Sequence, residues 1–360
     1  MQYGKTPLHV AASMGADFEI ISWILSRSPD AAAEKDSWGR IPMHRAAAEN
    51  SSQLEVLRLL SKPSSIRTGD KGGWLPLHAA ISAGVNIRNI KFIHQAFPKA
   101  MNVKDRNGRL PLHHACSNVD TNMDTLKYIY EAYPDAVKEP DNQKCLPLHV
   151  LCKRKADLEF IAFILGKYTG AVGVPDETGA QPFHLAAANG CAIEVLDLLF
   201  RLLPSTIETV DRKGNTPLHL VLKRNPTYEL VDVLIGNYPQ AIQVKNKEEC
   251  LPLHCACQGG RVPMQIIQLV IDQHRQALTV KDKKGRIPLH YAFDRRMDLI
   301  TLKRMAQQYP RGLKVHDNSG CVPDDYAPDK LHKEFQRARI WYNCRKAYCP
   351  CCVRILPEID

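Results

Sequence analysis

The sequence predicts an all-α protein, a solenoid of stacked helix–turn–helix repeats. A Pro-x-His motif recurs nine times at a spacing of 34–36 residues, and each copy follows a polar turn. Each copy also precedes apolar residues that recur with helical periodicity. One such repeat cannot bury its apolar face alone, so neighbouring repeats must stack and share a continuous core.

The motif is a tetrad with Pro at its second position and His at its fourth. The nine tetrads begin at Thr6, Ile41, Leu75, Leu110, Leu146, Gln181, Thr216, Leu251 and Ile287. A tenth, decayed copy is Val322-Pro323-Asp324-Asp325. Proline suits the first position of a helix, where its missing N–H is not needed. The tetrads therefore predict ten helix starts, which define repeats 1–10.

The other parts of the repeat can also be read from the sequence. An Asp-x-x-Gly turn precedes the tetrad, as at residues 105–108, and a second amphipathic helix follows the first, as at residues 193–202. A Tyr-Pro pair such as Tyr133-Pro134 should end the second helix, because proline disfavours helix in the residue before it. We expect an extended stretch, for example residues 101–104, to lead to the next turn.

These features resemble the ankyrin repeat family, in which Thr-Pro-Leu-His-x-Ala lies between a turn and two antiparallel helices. The resemblance covers residues 1 to about 327. The period is longer than the usual repeat of about 33 residues. The extra residues fall between the second helix and the next turn, where Tyr-Pro replaces the family's usual Gly cap. The resemblance implies an ankyrin-repeat solenoid with short hairpin-like turns.

Three segments follow from this pattern. Residues 1–327 should form an array of about ten repeats with a truncated first repeat, since the chain opens inside a turn. Residues 328–343 should form a C-terminal capping helix, because Leu331, Phe335 and Trp341 have helical spacing. Residues 344–360 form a Cys-rich basic tail.

Composition limits the environment and the partners. No apolar run of 18 residues and no signal peptide are present, so neither a membrane span nor secretion is expected. Cysteines such as Cys116, Cys152, Cys255 and Cys257 lie in apolar helical segments, which indicates reduced, buried thiols in the cytoplasm or nucleus. The net charge of +10 suits an acidic protein, a nucleic acid or an anionic membrane surface.

No catalytic residue or cofactor is predicted. A histidine repeated in one local frame is expected to bond to the neighbouring turn, since a catalytic histidine needs a base, acid or metal partner. The tail cysteines Cys344, Cys349, Cys351 and Cys352 are too close for an ordinary zinc site with two separated ligand pairs. We therefore predict no metal site and no role for them, with metal binding, lipidation or redox chemistry as alternatives.

The turn tips are the predicted binding surface. In the ankyrin family, the residues between the turn Asp and Gly, together with the one after Gly, project toward partners. Here nine of these positions are basic and three are acidic, and Arg and Trp are enriched at binding hot spots. The predicted partner-binding residues are Trp38, Arg40, Lys71, Trp74, Arg106, Arg109, Arg212, Lys213, Lys283, Lys284 and Arg286.

The sequence thus predicts a monomeric, non-enzymatic scaffold whose concave face and turn tips bind a protein partner with an acidic surface. One alternative is a module that binds nucleic acid or membrane phosphoinositide. Nucleic acid is less favoured because the turns carry no aromatic platform and no DNA-binding motif is present. A second alternative is a regulatory fragment of a larger enzyme or channel.

Overall fold

The structure, a computed structural model, describes residues 2–49, 51, 53–224, 226–260 and 262–327. The predicted capping helix at 328–343 and the Cys-rich tail at 344–360 lie outside the described residues. Within the described ranges all regular structure is α-helix or 3₁₀-helix, and no strand is present. The predicted all-α repeat architecture is confirmed.

The repeats are distributed over two compact units. The first unit ends at Thr206 and holds repeats 1–6, and the second begins at Ile207 and holds the later repeats. In the first unit, the first helix of repeat 5 packs against the first helices of repeats 4 and 6. In the second unit, the first helix of repeat 8 packs against those of repeats 7 and 9. Each unit is therefore a stack in which a repeat contacts its neighbours.

Every first helix begins at the tetrad proline, as predicted. The first helices are Pro7–Ser13, Pro42–Ala48, Pro76–Ser82, Pro111–Ser117, Pro147–Arg154, Pro182–Asn189, Pro217–Leu222, Pro252–Gly259 and Pro288–Asp294. The decayed tenth tetrad starts only a 3₁₀ turn, Pro323–Tyr326. Proline fixes φ near the helical value and lacks the N–H that a first turn would leave unpaired.

The second helices pack behind the first. They are Phe18–Arg27, Leu54–Leu60, Ile87–Ala96, Met123–Ala132, Leu158–Lys167, Ile193–Leu202, Tyr228–Asn237, Met264–Gln273 and Leu299–Gln308. The helix predicted at residues 193–202 is confirmed at both ends. Tyr133 and Tyr238 are the C-cap residues of their helices and have non-helical backbone angles, so the Tyr-Pro pair ends the helix as expected.

The segment after the second helix differs from the prediction. It forms a short helical turn, which is a 3₁₀-helix in most repeats: Pro29–Ala32, Pro63–Arg67 (an α-helical turn), Pro98–Asn102, Pro134–Lys138, Thr169–Gly173, Pro204–Ile207, Pro239–Gln243, Arg275–Thr279 and Pro310–Lys314. The expected extended stretch at 101–104 is therefore wrong for Met101 and Asn102. In seven of the nine segments a proline at the first position has φ suited to a helical turn, while it disfavours helix in the residue before it. Thr169–Gly173 and Arg275–Thr279 form the same turn without proline. The alanine inside the turn, such as Ala100, is buried and contributes to the core.

The core of each unit is built from the residue before the tetrad histidine. In all nine repeats this side chain is at most 3% exposed; the nine are Leu8, Met43, Leu77, Leu112, Leu148, Phe183, Leu218, Leu253 and Leu289. Apolar residues of the second helices, such as Ile129 and Ile164, close the core from behind. Within the described part of the chain, no helix has the length and apolar character that a membrane crossing requires.

The turn glycines allow adjacent turns to approach closely. Gly108 has φ +75, and a Cβ there would lie 2.8 Å from the backbone nitrogen of Asn142 in the next turn. Gly320 has a similar φ of +80, but no described atom lies within 4 Å of its Cβ position. A side chain at either position would be strained by the left-handed backbone, and only at position 108 would it also clash with the next turn.

We expect Gly108→Ala to lower the free energy of unfolding by roughly 2–4 kcal/mol and Gly320→Ala by about 1 kcal/mol, because only the first adds a backbone clash to the left-handed strain. Urea denaturation followed by circular dichroism measures both values. Equal losses for the two variants would show that the close approach of the turns costs nothing.

Candidate partner-binding surface

An aspartate organises each turn from within. Asp105 Oδ1 accepts the N–H groups of Asn107 at 2.8 Å and Arg109 at 2.9 Å, and the Asp105 N–H donates to the Arg109 carbonyl. The same position accepts the same two backbone N–H bonds in the other turns, with asparagine in place of aspartate at 246. These residues are Asp36, Asp70, Asp141, Asp176, Asp211, Asn246, Asp282 and Asp317. This frame of hydrogen bonds fixes the backbone of the tip residues.

One backbone hydrogen bond joins each turn to the next within a unit. The Arg106 N–H donates to the Gly72 carbonyl at 2.8 Å, and the Lys247 N–H donates to the Lys213 carbonyl at 2.8 Å. Further bonds of this kind join Lys71 to Trp38 and Lys283 to Glu248. Because one bond links successive tips, the tip side chains stand in a regular row, one repeat apart.

Three of the predicted tip arginines are tied to the neighbouring repeat. The residue after the turn glycine pairs with the turn aspartate of the next repeat: Arg40 with Asp70 at 3.1 Å, Arg109 with Asp141 at 3.3 Å, and Arg286 with Asp317 at 3.2 Å. Arg286 also donates to the Tyr326 hydroxyl and lies 4.5 Å over its ring. These arginines therefore hold repeats together, whatever else they contact.

Three turn carboxylates, those of Asp36, Asp105 and Asp317, are stabilised in their charged form. Burial alone would raise the pKa of Asp105. Hydrogen bonds from His114 and the backbone lower it by more than burial raises it, so this pKa lies below its ordinary value. Similar contacts lower the pKa of Asp36 and bring that of Asp317 to about 2. These three carboxylates thus keep their charge beneath the tips, where they accept hydrogen bonds from within the turn.

The remaining predicted residues form the outer surface. Lys71, Arg106, Arg212, Lys213, Lys283 and Lys284 are exposed. Trp38 is 41% exposed, whereas Trp74 is half-buried with its ring 4.6 Å from that of His114. None of the six exposed cations forms an ion pair within the described ranges.

Sequence reasoning missed three cations of this surface. Lys144 and Lys247 occupy tip positions and are exposed, and Lys144 stands at a glycine position with φ +58. Arg45 lies on a first helix, where its Nη2 donates to Asp36 at 2.6 Å and its guanidinium lies 5.6 Å from the Trp38 ring centre. The tip residues could have been found from their place in the repeat, but nothing in the tetrad pattern marks Arg45.

The tetrad histidines hydrogen-bond to the neighbouring turn, as predicted. Their Nδ1 atoms accept the N–H of the first tetrad residue at 3.0–3.3 Å. In repeats 1–5 and 7–9, Nε2 faces a carbonyl oxygen at 2.8–3.3 Å in or before the next turn. Since Nδ1 accepts, the proton must sit on Nε2 and the ring must be neutral. Burial accordingly lowers the pKa of His113 and His149 to about 4.

The cysteines of the described ranges are free thiols. Seven are buried and Cys321 is half-buried. Burial raises the pKa of Cys116, Cys250 and Cys255 to about 12, which disfavours the reactive thiolate. No group of three or more His, Cys, Asp or Glu side chains in the described part of the chain is placed to hold a metal ion. The four tail cysteines lie outside those ranges, so their role stays a prediction.

Comparison with known proteins agrees with the repeat geometry. A model of ankyrin repeats in three copies matches residues 43–141 and 218–302, just over half of the chain, and a single ankyrin repeat model matches residues 3–35. The chain is also 29% identical over 113 residues to the probable 26S proteasome regulatory subunit p28 of Saccharomyces cerevisiae. That match covers 31% of this chain and 48% of the yeast protein, so the chain spans about half the length of this relative.

Proposed function

Because this chain belongs to the ankyrin repeat family, we propose that it is a non-enzymatic binding protein whose basic turn tips hold an acidic surface of a protein partner. The observation that carries the proposal is the set of exposed cations at the turn tips of each unit, above buried aspartates. They outnumber the exposed tip glutamates Glu177, Glu248 and Glu249. The turn frame fixes each tip backbone, so few backbone degrees of freedom remain to be lost on binding. The yeast relative, by its name a regulatory subunit, supports a protein-binding role.

The tips differ in what they can offer a partner. Each of the three tip arginines, Arg40, Arg109 and Arg286, forms an ion pair with an aspartate of the next turn. That aspartate offsets the positive charge that the arginine could offer to a partner. Lys71 and Arg106 in the first unit form no such pair in the described part of the chain, and the same holds for Lys213, Lys283 and Lys284 in the second. We assign recognition of the partner to these unpaired cations and a supporting role to the three arginines.

The test uses a fluorescein-labelled polyglutamate peptide of about ten residues as the acidic probe. We expect the double variant Lys71→Glu/Arg106→Glu to weaken binding at low salt by roughly tenfold or more, because it turns attraction into repulsion at two adjacent tips. Fluorescence anisotropy gives the dissociation constant.

The matched control is Lys127→Glu/Lys303→Glu, which makes the same charge change at exposed positions on two second helices. It should leave the affinity within about twofold, since these charges lie on second helices rather than at the tips and Coulomb attraction falls with distance. Equal losses in the two double variants would reduce the tips to general surface charge and sink the proposal. Tighter binding to a duplex oligonucleotide, with a steep salt dependence, would favour the nucleic-acid alternative instead.

A further inference from the structure

A groove opens beside the turn tips between repeats 2 and 3. Its volume is about 250 Å³. Arg45 and Ala48 of the helix Pro42–Ala48 form one side, and Trp74, Ser82 and Ala83 form the other. Small side chains at Ala48, Ser82 and Ala83 leave the space open, and Trp74 supplies an apolar wall.

The Trp74 wall is fixed in place by its neighbours. Its carbonyl accepts the Nε2–H of His44 at 2.8 Å, and its ring meets the ring of His114 edge-on at 4.6 Å. Trp74 occupies the position that is Arg40 in repeat 2 and Arg109 in repeat 4. In this stretch the groove therefore has an aromatic ring where both neighbouring repeats have an arginine, and the contacts of Trp74 fix that ring before a ligand binds.

The rim of the groove is positive, whereas the nearby aspartate side chains are buried. Lys71 and Arg106 are exposed at the adjoining tips. The side chains of Asp36, Asp70 and Asp105 are at most 5% exposed. Charge complementarity at this place thus selects an acidic ligand.

One acidic residue, Glu49, directly follows Ala48 of the groove lining. Glu49 is the C-cap of the helix Pro42–Ala48, and its carboxylate accepts bonds from the Ser51 hydroxyl at 3.0 Å and the Ser51 backbone. It is engaged at the end of the helix away from the tips, so it does not offset the charge of the rim.

We propose that this groove accepts one apolar side chain from an extended acidic segment of a partner protein. The inference rests on the proposed function and adds the chemistry of the bound segment. The acidic residues of the segment face Lys71 and Arg106, and a leucine-sized side chain packs on Trp74 between Ala48 and Ala83. Burial of one leucine side chain corresponds to roughly ten- to a hundredfold in affinity.

The experiment compares two fluorescein-labelled peptides of about ten residues, both of glutamate and glycine, with a central leucine in one and a central serine in the other. The unmodified chain should bind the leucine peptide at least tenfold more tightly by fluorescence anisotropy. Ala48→Trp fills the groove and should erase this preference while leaving the affinity for the serine peptide unchanged.

Ala188→Trp is the matched control. Ala48 and Ala188 are both half-buried alanines four residues after a tetrad histidine, but Ala188 lies in repeat 6, away from the groove. This control should retain the preference for leucine. If Ala48→Trp does not fold, as judged by its circular dichroism melt, Ser82→Leu fills the same space with a smaller side chain and should likewise abolish the preference.

The remaining outcomes separate the two proposals. Equal affinity of the unmodified chain for both peptides, weakened by Lys71→Glu/Arg106→Glu, overturns the groove and leaves the tip function standing. Absence of binding by either peptide overturns both. A duplex oligonucleotide that displaces both peptides at a concentration below the dissociation constants of the peptides would also overturn both proposals. It would favour nucleic acid as the ligand.

Discussion

Acidification from about pH 7 to about pH 4.5 is expected to unfold the chain, with the free energy of unfolding falling progressively below about pH 6.5. The cause is the repeated tetrad histidine. Burial lowers the pKa of His78, His113, His149, His219 and His254 to about 4, from an ordinary value of 6.5. Burial also lowers the pKa of His44 and His290.

The sign of the effect follows from the protons bound in each state. Between about pH 6.5 and pH 4 these rings are protonated in the unfolded chain and neutral in the folded chain. The unfolded state therefore binds more protons, and the free energy of unfolding decreases as the pH is lowered. Each histidine contributes up to about 1.4 kcal/mol per pH unit. Above pH 6.5 both states are neutral at these groups, and the effect vanishes.

The hydrogen bonds explain why the folded chain resists protonation. His113 Nδ1 accepts the Leu110 N–H at 3.2 Å, and Nε2 donates to the Cys145 carbonyl at 3.1 Å. A second proton would have to sit on Nδ1, facing a donor, inside a site with no access to water. Protonation at Nδ1 would therefore remove the bond from the Leu110 N–H and leave a buried charge, which disfavours the folded state.

Urea denaturation at a series of pH values, followed by circular dichroism, measures the effect. His149→Gln is the informative variant, since it removes one titrating ring and should reduce the slope of unfolding free energy against pH by about 1.4 kcal/mol per unit. The carboxylates act in a different window: the pKa of Asp317 is lowered to about 2, so the stability it gives is lost only below its ordinary value of 3.8. A free energy of unfolding that stays constant between about pH 7 and pH 5 would contradict the histidine mechanism.

The fold could be predicted from the sequence because its determinants are local. The tetrad proline marks a helix start, and Tyr133-Pro134 marks a helix end, through steric rules that act within a few residues. The exception was the stretch containing Met101. There the backbone forms a helical turn that begins at Pro98, and in this turn Ala100 is buried. That burial depends on the stacking of repeats and not on local backbone preference.

The binding surface was only partly predictable. Position in the repeat identified Arg109 as a tip residue, but its ion pair with Asp141 joins residues 32 apart and appears only when the turns are stacked. Trp74 looked like an exposed tip aromatic and is half-buried, because His114 of the next repeat packs against it. The groove beside it arises from Ala48 and Ala83 in different repeats, and no motif within one repeat encodes that pairing.

Truncation of a single core side chain should have the next largest effect, because each repeat supports both of its neighbours. Leu148 is 0% exposed on the helix Pro147–Arg154, which packs against the first helices of repeats 4 and 6. We expect Leu148→Ala to lower the free energy of unfolding by about 2–5 kcal/mol, through lost apolar contact and the cavity left behind. Urea denaturation with a matched variant measures it.

The matched variant is Leu158→Ala, which makes the same chemical change in the same repeat where the side chain is 40% exposed. It should cost roughly half as much or less, because 40% of that residue's surface already meets water and less buried apolar surface is lost. Hydrogen exchange then tests how the loss is distributed. In a stack held by nearest-neighbour contacts, Leu148→Ala should reduce amide protection most in repeats 4–6. A uniform loss of protection over every described repeat would show instead that the chain unfolds as one cooperative block, and the one-dimensional account of its stability would then be wrong.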